Sequence, residues 1–490
     1  MNLSLMSLEI CVVALGLLVL LADLWLPAER KRALGYAAAA ALGLLFLYSF
    51  TSHSSCASIG QSAFGGMFVQ DALAVFFKRF FLLAAVLVLV MAVEFSDRIA
   101  TGISEYYSLL VFALAGMLFA ASANDFAMLF VSYELISITF YVLTSFQRGK
   151  VRSLEAGVKY LILGALSSAV MVYGIALVWG TTGQFNFTAL ALVAGKFADN
   201  PLFLLGALFI LAGLGFKISA FPFQMWTPDV YQGAPTPTTT FLAVGSKAAG
   251  FVLLLRYLFT AIPEVAAHGQ NLLIVLSGVT ILYGNLCALP QRNLKRLLGY
   301  SSIAHAGYLL LGVAAMAANV HDPVAGGSAI LYYFGGYLFT TLAAFTVIAL
   351  VLRHLGNEDI SGLAGLNQRS PLLAATMTTA MVSLAGIPPL VGFFGKFLLL
   401  KAVIEQGAIN HAYYGLALTA IVGVVISLYY YFGVVRAIYW SKEIPDLSPI
   451  IVSRPMWLVM AVCLIGMFWL GLVPGGLLKL AAQAAGTLKF

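Results

Sequence analysis

Four ionisable side chains stand where an apolar segment should carry none. Glu134 interrupts Phe130-Val131-Ser132-Tyr133-Glu134-Leu135, and Lys217 lies five residues before Pro222 in an apolar run. Lys247 sits in Gly245-Ser246-Lys247-Ala248, and Lys396 closes Gly392-Phe393-Phe394-Gly395-Lys396. Amines and carboxylates taken out of water exchange protons near working pH more readily than they do in solution, because burial disfavours their charged forms. The chemistry open to this set is therefore proton transfer. His305, in Ser301-Ser302-Ile303-Ala304-His305, adds an imidazole with two ring nitrogens suited to relaying a proton. Lys159 is a further candidate, with Glu155 four residues before it as an i,i+4 partner.

The alternative for this set is that each charge pairs internally and locks helices together. Against it, three lysines face one glutamate. A charge at the centre of a membrane helix costs ~2.5–3.5 kcal/mol on insertion scales, so four together cost roughly 10–14 kcal/mol. Other charged residues have simpler readings. Lys401 has Glu405 at i+4, and Lys78 and Arg79 have Asp71 or a lipid phosphate within plausible reach.

The elements that must hold these groups are membrane helices. Of 490 residues, 62% are hydrophobic and 9% charged, with a mean hydropathy of +0.98. Soluble domains run near ~25% charged, so water-facing surface cannot be built from this composition. A bilayer core of ~30 Å needs about 20 apolar residues in a helix. Fourteen runs qualify: 8–26, 34–50, 72–93, 106–122, 126–146, 156–180, 203–226, 237–258, 271–289, 297–317, 325–352, 372–405, 414–435 and 455–473. They are continuously apolar and lack the alternation of barrel strands.

Loops after odd-numbered runs hold 15 of the 26 Lys and Arg residues, including Arg30-Lys31-Arg32, Arg148, Lys150, Arg152, Lys295, Arg296 and Lys442. Loops after even-numbered runs hold only Lys196, with Lys479 and Lys489 in the tail. The positive-inside rule puts the first group in the cytoplasm and both termini on the far side, the periplasm in a bacterial plasma (inner) membrane. The net charge of +7 then follows from topology and calls for no nucleic acid.

The expected fold class is an all-α polytopic membrane protein with two inverted five-helix repeats. The expected units are 1–105 (spans 1–3), 106–258 (first repeat), 271–440 (second repeat) and 455–490 (last span and tail). Each repeat contains a broken helix, one at Phe221-Pro222-Phe223 and one at Gly386-Ile387-Pro388-Pro389. Broken helices at matching places of inverted repeats point to an ion pathway near the bilayer midplane. The four cysteines, Cys11, Cys56, Cys287 and Cys463, form no CxxC pair, so no metal or iron–sulfur site is expected. Haem ligation lacks a second deep histidine. Gly392-Phe393-Phe394-Gly395-Lys396-Phe397 has neither the spacing nor the Ser/Thr of a nucleotide-binding loop.

The run from Phe221 to Pro237, which includes Trp226-Thr227-Pro228-Asp229-Val230-Tyr231-Gln232-Gly233-Ala234-Pro235, resembles the antiporter-like proton-translocating subunits of respiratory complex I. Lys247 and the stretch Gly386 to Phe397 extend the resemblance, as do the fourteen spans. The resemblance implies that Glu134 tunes Lys217, with Lys159 beside them, and that Lys247 and His305 connect to Lys396. It implies neighbouring antiporter-like and other membrane subunits as partners. FMN, iron–sulfur clusters and quinone would belong to those partners, with no cofactor in this chain. A multisubunit Mrp-type cation/proton antiporter subunit, which shares the same ancestral unit, is the rival expectation, and a scaffold whose charges only fix assembly is another.

Overall fold

The structure, a computed structural model, describes residues 3–51, 60–355, 358–441 and 448–488. Cys56, Lys442 and Lys489 lie outside them. The helices that matter, in chain order, begin with α1 Ser7–Asp23, α2 Lys31–Tyr48, α3 Ala72–Glu94, α4 Ile103–Ala121, α5 Phe126–Thr144 and α6 Val151–Thr182. Next come α7 Pro201–Ile218, α8 Trp226–Gly233, α9 Thr236–Ala261, α10 Gln270–Ala288 and α11 Leu294–Ala318. The set closes with α12 Val324–Leu355, α13 Pro371–Ala385, α14 Val391–Gln406, α15 Ala412–Trp440, α16 Arg454–Leu472 and α17 Gly475–Ala485.

Among the described residues, twelve helices are long and apolar enough to cross a membrane. The helix α2, which opens on Lys31-Arg32, and the pair α13 and α14 account for the remaining two of the fourteen runs. A small antiparallel hairpin, Gln61–Ala63 with Phe68–Gln70, has no counterpart in the expected all-α fold.

Helix starts follow their capping residues. Asp71, Asp125 and Asn293 accept from Ala74 N (2.7 Å), Ala127 N (2.7 Å) and Arg296 N (3.0 Å), supplying donors at helix ends with the partners they lack. Pro201 and Pro371 open α7 and α13, where the missing N–H is harmless.

The centre of the bundle is α9, α11 and α12, which are almost wholly buried, whereas only about a third of α1, α6, α15 and α16 is buried. The exposed positions of α6 include Val158, Leu161, Ile162, Leu166 and Trp179. Apolar side chains in that number suit contact with lipid or with another membrane chain.

Both expected breaks are present. The α13–α14 break turns at Gly386 (φ 86°), as the Gly-Ile-Pro-Pro run implies. The earlier helix ends at Ile218, with Ser219 in the left-handed region (φ 64°), ahead of Phe221-Pro222-Phe223. Helix resumes at Trp226, where the apolar run was expected to stop. Residues such as Asp229 and Gln232 make α8 too polar for a hydropathy window to detect.

Candidate proton-transfer site

The lysine on α7 lies in that helix's last turn, where the unpaired carbonyls of a helix end favour a cation. Lys217 Nζ donates to Ser137 Oγ at 2.9 Å and sits over the Tyr133 ring, 5.0 Å from its centroid. Lys217 packs on Gly250 of α9, where a Cβ would come within 3.0 Å of its Cγ. That close approach sets the α7 lysine against the helix carrying Lys247. The break itself is tied down by Trp226 Nε1, which donates to Phe216 O at 2.9 Å, and by Thr227 Oγ1, which donates to Ser219 Oγ at 2.8 Å.

Glu134 lies on α5, one turn before Ser137, and accepts a hydrogen bond from Ser168 Oγ of α6. The glutamate and Ser137 are neighbours at i,i+3. Among the described residues no ion pair within 4.0 Å joins Glu134 to Lys217, so any influence between them acts through space.

Lys247 follows a five-residue π-helical segment, Leu242–Ser246, in the middle of α9. Such a bulge widens one turn and is frequent at functional positions. Its Nζ donates to Ser302 O at 2.6 Å and to Ser302 Oγ. The Ser302 hydroxyl also meets Tyr231 OH at 3.1 Å and Tyr337 OH at 3.2 Å. One turn along α11, His305 contacts Tyr333 OH through Nδ1 and Tyr431 OH through Nε2 (3.0 Å). Tyr431 OH is bonded to Ser301 Oγ as well. One hydroxyl path therefore runs from Ser301 through Tyr431 to the imidazole, and Tyr337, bonded to Ser302, packs its ring 5.1 Å from the imidazole.

The far end is built by the second break. Ending α13 at Ala385 frees its last carbonyls, and Lys396 Nζ from α14 donates to Leu384 O (2.7 Å) and Ala385 O (3.1 Å). Backbone carbonyls inside a bilayer need such internal donors. The ammonium also lies over the Tyr308 ring, 5.0 Å from its centroid, and Tyr308 packs near His305. Lys217, Lys247, His305 and Lys396 are 2%, 1%, 3% and 5% exposed.

Lys159 is placed elsewhere, which corrects its expected position beside Glu134 and Lys217. Its side chain is 44% exposed and pairs with Glu155 (2.7 Å) and Asp229 (2.9 Å), the latter also bound by Arg296 at 2.5 Å. Nine residues of α6 separate it from Ser168, a rise of about 13 Å. The i,i+4 pairing with Glu155 is as expected, and so is Lys401 with Glu405 at 3.8 Å.

Sequence reasoning missed three buried ion pairs. Lys78 lies 2.7 Å from Glu9 of α1, so its partner is not Asp71. Asp71 instead takes both Nη atoms of Arg256, at 2.8 and 3.0 Å. Lys295, counted from sequence among the loop charges, is 3% exposed and pairs with Glu358 at 3.2 Å. Partners up to 185 positions apart leave no local signal. Ser137, Ser302, Tyr333 and Tyr431 were also missed as contacts, being ordinary hydroxyls among 22 tyrosines and many serines. The outcome is a division. Lys78, Arg256 and Lys295 each face a carboxylate within 4.0 Å, while among the described residues Lys217, Lys247 and Lys396 face only hydroxyls, carbonyls and rings.

A family model described as NADH:quinone oxidoreductase/Mrp antiporter, transmembrane, matches residues 123–422. A curated relative from Heliobacterium modesticaldum, named NADH-quinone oxidoreductase subunit N, is 41% identical over 490 residues and covers 100% of both chains. A chain of respiratory complex I from Thermus thermophilus, solved with bound aureothin, is 31% identical with a TM-score of 0.79, covering 97% of this chain and 99% of that one. A chain of the Mrp complex from Dietzia sp. DQ12-45-1b superposes with a TM-score of 0.83 at 20% identity, covering 100% of this chain and 98% of that one, a likeness of fold.

Proposed function

This chain belongs to the family of transmembrane subunits shared by NADH:quinone oxidoreductases and Mrp antiporters, and from that premise we propose that it is a proton-translocating membrane subunit of an NADH:quinone oxidoreductase. The observation that carries the reading is the set of three buried lysines, Lys217, Lys247 and Lys396, which among the described residues have no carboxylate within 4.0 Å and bond instead to hydroxyls and backbone carbonyls. A lysine held by a carboxylate keeps its proton; one held by neutral acceptors can release it when its surroundings change. The family model names both groups, and 41% identity over the full length of a curated subunit N, against 20% to the solved Mrp chain, supports the oxidoreductase over the Mrp alternative.

In this reading, quinone reduction in partner subunits alters the influence of Glu134 on Lys217. The proton then passes through Lys247, Ser302 and His305 to Lys396. Lys159, in its exposed cluster, takes no direct part. FMN, iron–sulfur clusters and the quinone site belong to partners, among them other membrane subunits and neighbouring antiporter-like chains. Residues 106–258 and 271–440 form the two inverted repeats, between 1–105 and 455–490. The membrane is the bacterial plasma membrane, with the basic loops inside and both termini outside. The test uses the assembled complex in liposomes with NADH and quinone. Lys217→Ala should lower proton uptake into the vesicles at least several-fold, in sodium-free buffer, with the complex intact. Unchanged uptake, or uptake that requires sodium, contradicts the proposal.

A further inference from the structure

A polar basin of about 380 Å³ opens at the end of the bundle that carries the basic loops. Its wall includes Gln147, Lys150, Arg152, Asn293 and the backbone of Gly233 to Thr236. Lys295 and Glu358 also line it. Lys295 Nζ, 3% exposed, donates to Ala234 O at 2.8 Å and Glu358 Oε1 at 3.2 Å. Asn293 Nδ2 holds the other Glu358 oxygen at 3.3 Å. Burial and the neighbouring Arg98 pull the pKa of the exposed Lys150 below its ordinary value, and the charge of Glu358 opposes them, so that carboxylate acts across the basin. Membrane proteins seldom bury a lysine without use for it, and the function as argued so far leaves Lys295 idle.

The basin is connected inward by one stripe of α11. Lysine 295, Gly299 and Ser302 are spaced i, i+4, i+7 and share a helix face. All three meet the same chain segment. Lys295 binds Ala234 O, Gly299 lies so close to Pro228 and Tyr231 that a Cβ would stand 3.2 Å from Pro228 Cα, and Ser302 meets Tyr231 OH at 3.1 Å. Ser302 is also where Lys247 Nζ ends. Seven residues of helix, about 10 Å, separate the basin floor from the lysine relay.

We propose that this basin is where protons are taken up from the basic-loop side, with Glu358 accepting each proton and Lys295 handing it inward to Lys247. The inference rests on the proton-pumping reading above. In each cycle the Glu358 carboxylate, paired with Lys295 at rest, first takes a proton from a hydronium ion in the basin. With its partner neutralised, the Lys295 ammonium gives its proton, through water and the Tyr231 and Ser302 hydroxyls, to the neutral amine of Lys247. The Lys295 amine then takes the proton from the Glu358 carboxylic acid, which restores the ion pair. The net change is one proton moved from the basin to Lys247; Glu358 and Lys295 return to their starting charges, and no redox partner is needed.

The experiment measures protons taken up per NADH oxidised by the assembled complex in liposomes, normalised to intact complex. Four forms are compared: unsubstituted, Glu358→Gln, Glu358→Asp and Lys247→Ala. Glu358→Gln keeps the size and polarity of the side chain but cannot accept a proton, and should lower uptake roughly tenfold or more. Glu358→Asp should restore most of it. Full uptake in Glu358→Gln with loss in Lys247→Ala overturns the uptake route and spares the pumping reading. Full uptake in both overturns that reading and the route with it. A fall in Glu358→Gln that Glu358→Asp does not relieve assigns the glutamate a purely structural role, and also overturns the route.

Discussion

Lys78 and Lys217 are both buried to within 2% of full burial, and they differ in what faces them. Lys78 meets the carboxylate of Glu9, itself 0% exposed, and Gln70 Oε1 at 2.5 Å. Lys217 meets a serine hydroxyl and a tyrosine ring. Removing one partner of a buried ion pair leaves the other charge uncompensated, at a cost of about 3–5 kcal/mol. Lys78→Ala should therefore depress the yield and thermal stability of the intact complex, measured after detergent extraction. Lys217→Ala strands no carboxylate and should leave both nearly unchanged while it lowers proton uptake. Equal loss of yield in the two variants would mean that Lys217 is structural as well. At this scale the sequence exposes the deep lysines readily, because each interrupts an apolar run. It cannot say which are neutralised, since Glu9, Asp71 and Glu358 reach their partners only through the fold.

Among the elements, the two breaks serve their lysines in different ways. The α13–α14 break makes the acceptors for Lys396 outright, since Leu384 O and Ala385 O are free only because α13 stops. Gly386 is required there twice over. Its φ is 86°, and a Cβ would lie 2.9 Å from Lys396 Cδ. Gly386→Ala should cost about 1–2 kcal/mol from the left-handed backbone alone, with further loss from displacing the lysine. The measurements are the thermal midpoint of the complex and its proton uptake, and both should fall; an unchanged midpoint would contradict the role given to this turn. The second break was readable from Gly386-Ile387-Pro388-Pro389. The first was readable from Phe221-Pro222-Phe223, which lies within the non-helical stretch 219–225, although the left-handed turn at Ser219 that opens it has no glycine to announce it. The π-helical turn before Lys247 has no counterpart in residue type at all.

Over the whole molecule, burial and chemistry coincide. The helices most enclosed by their neighbours, α9, α11 and α12, carry Lys247, His305 with Ser301 and Ser302, and Tyr333 and Tyr337, while α15 and α8 add Tyr431 and Tyr231. The exposed helices lie outside this centre, and the neutralised ion pairs bind Asp71 to α9 and Glu9 to α3. Hydropathy was enough to count the spans and to find the deep charges. Which helices would be central was not legible, because α6 and α9 both carry a membrane-length apolar stretch and hydropathy does not report what packs around them. Lys247 stands where the account has no bypass, between the α7 lysine and the imidazole. The direct test is the number of protons translocated per NADH oxidised by the intact complex carrying Lys247→Ala. A relay through Lys247 requires a several-fold lower ratio with assembly unaffected. A ratio equal to that of the unsubstituted complex would contradict it.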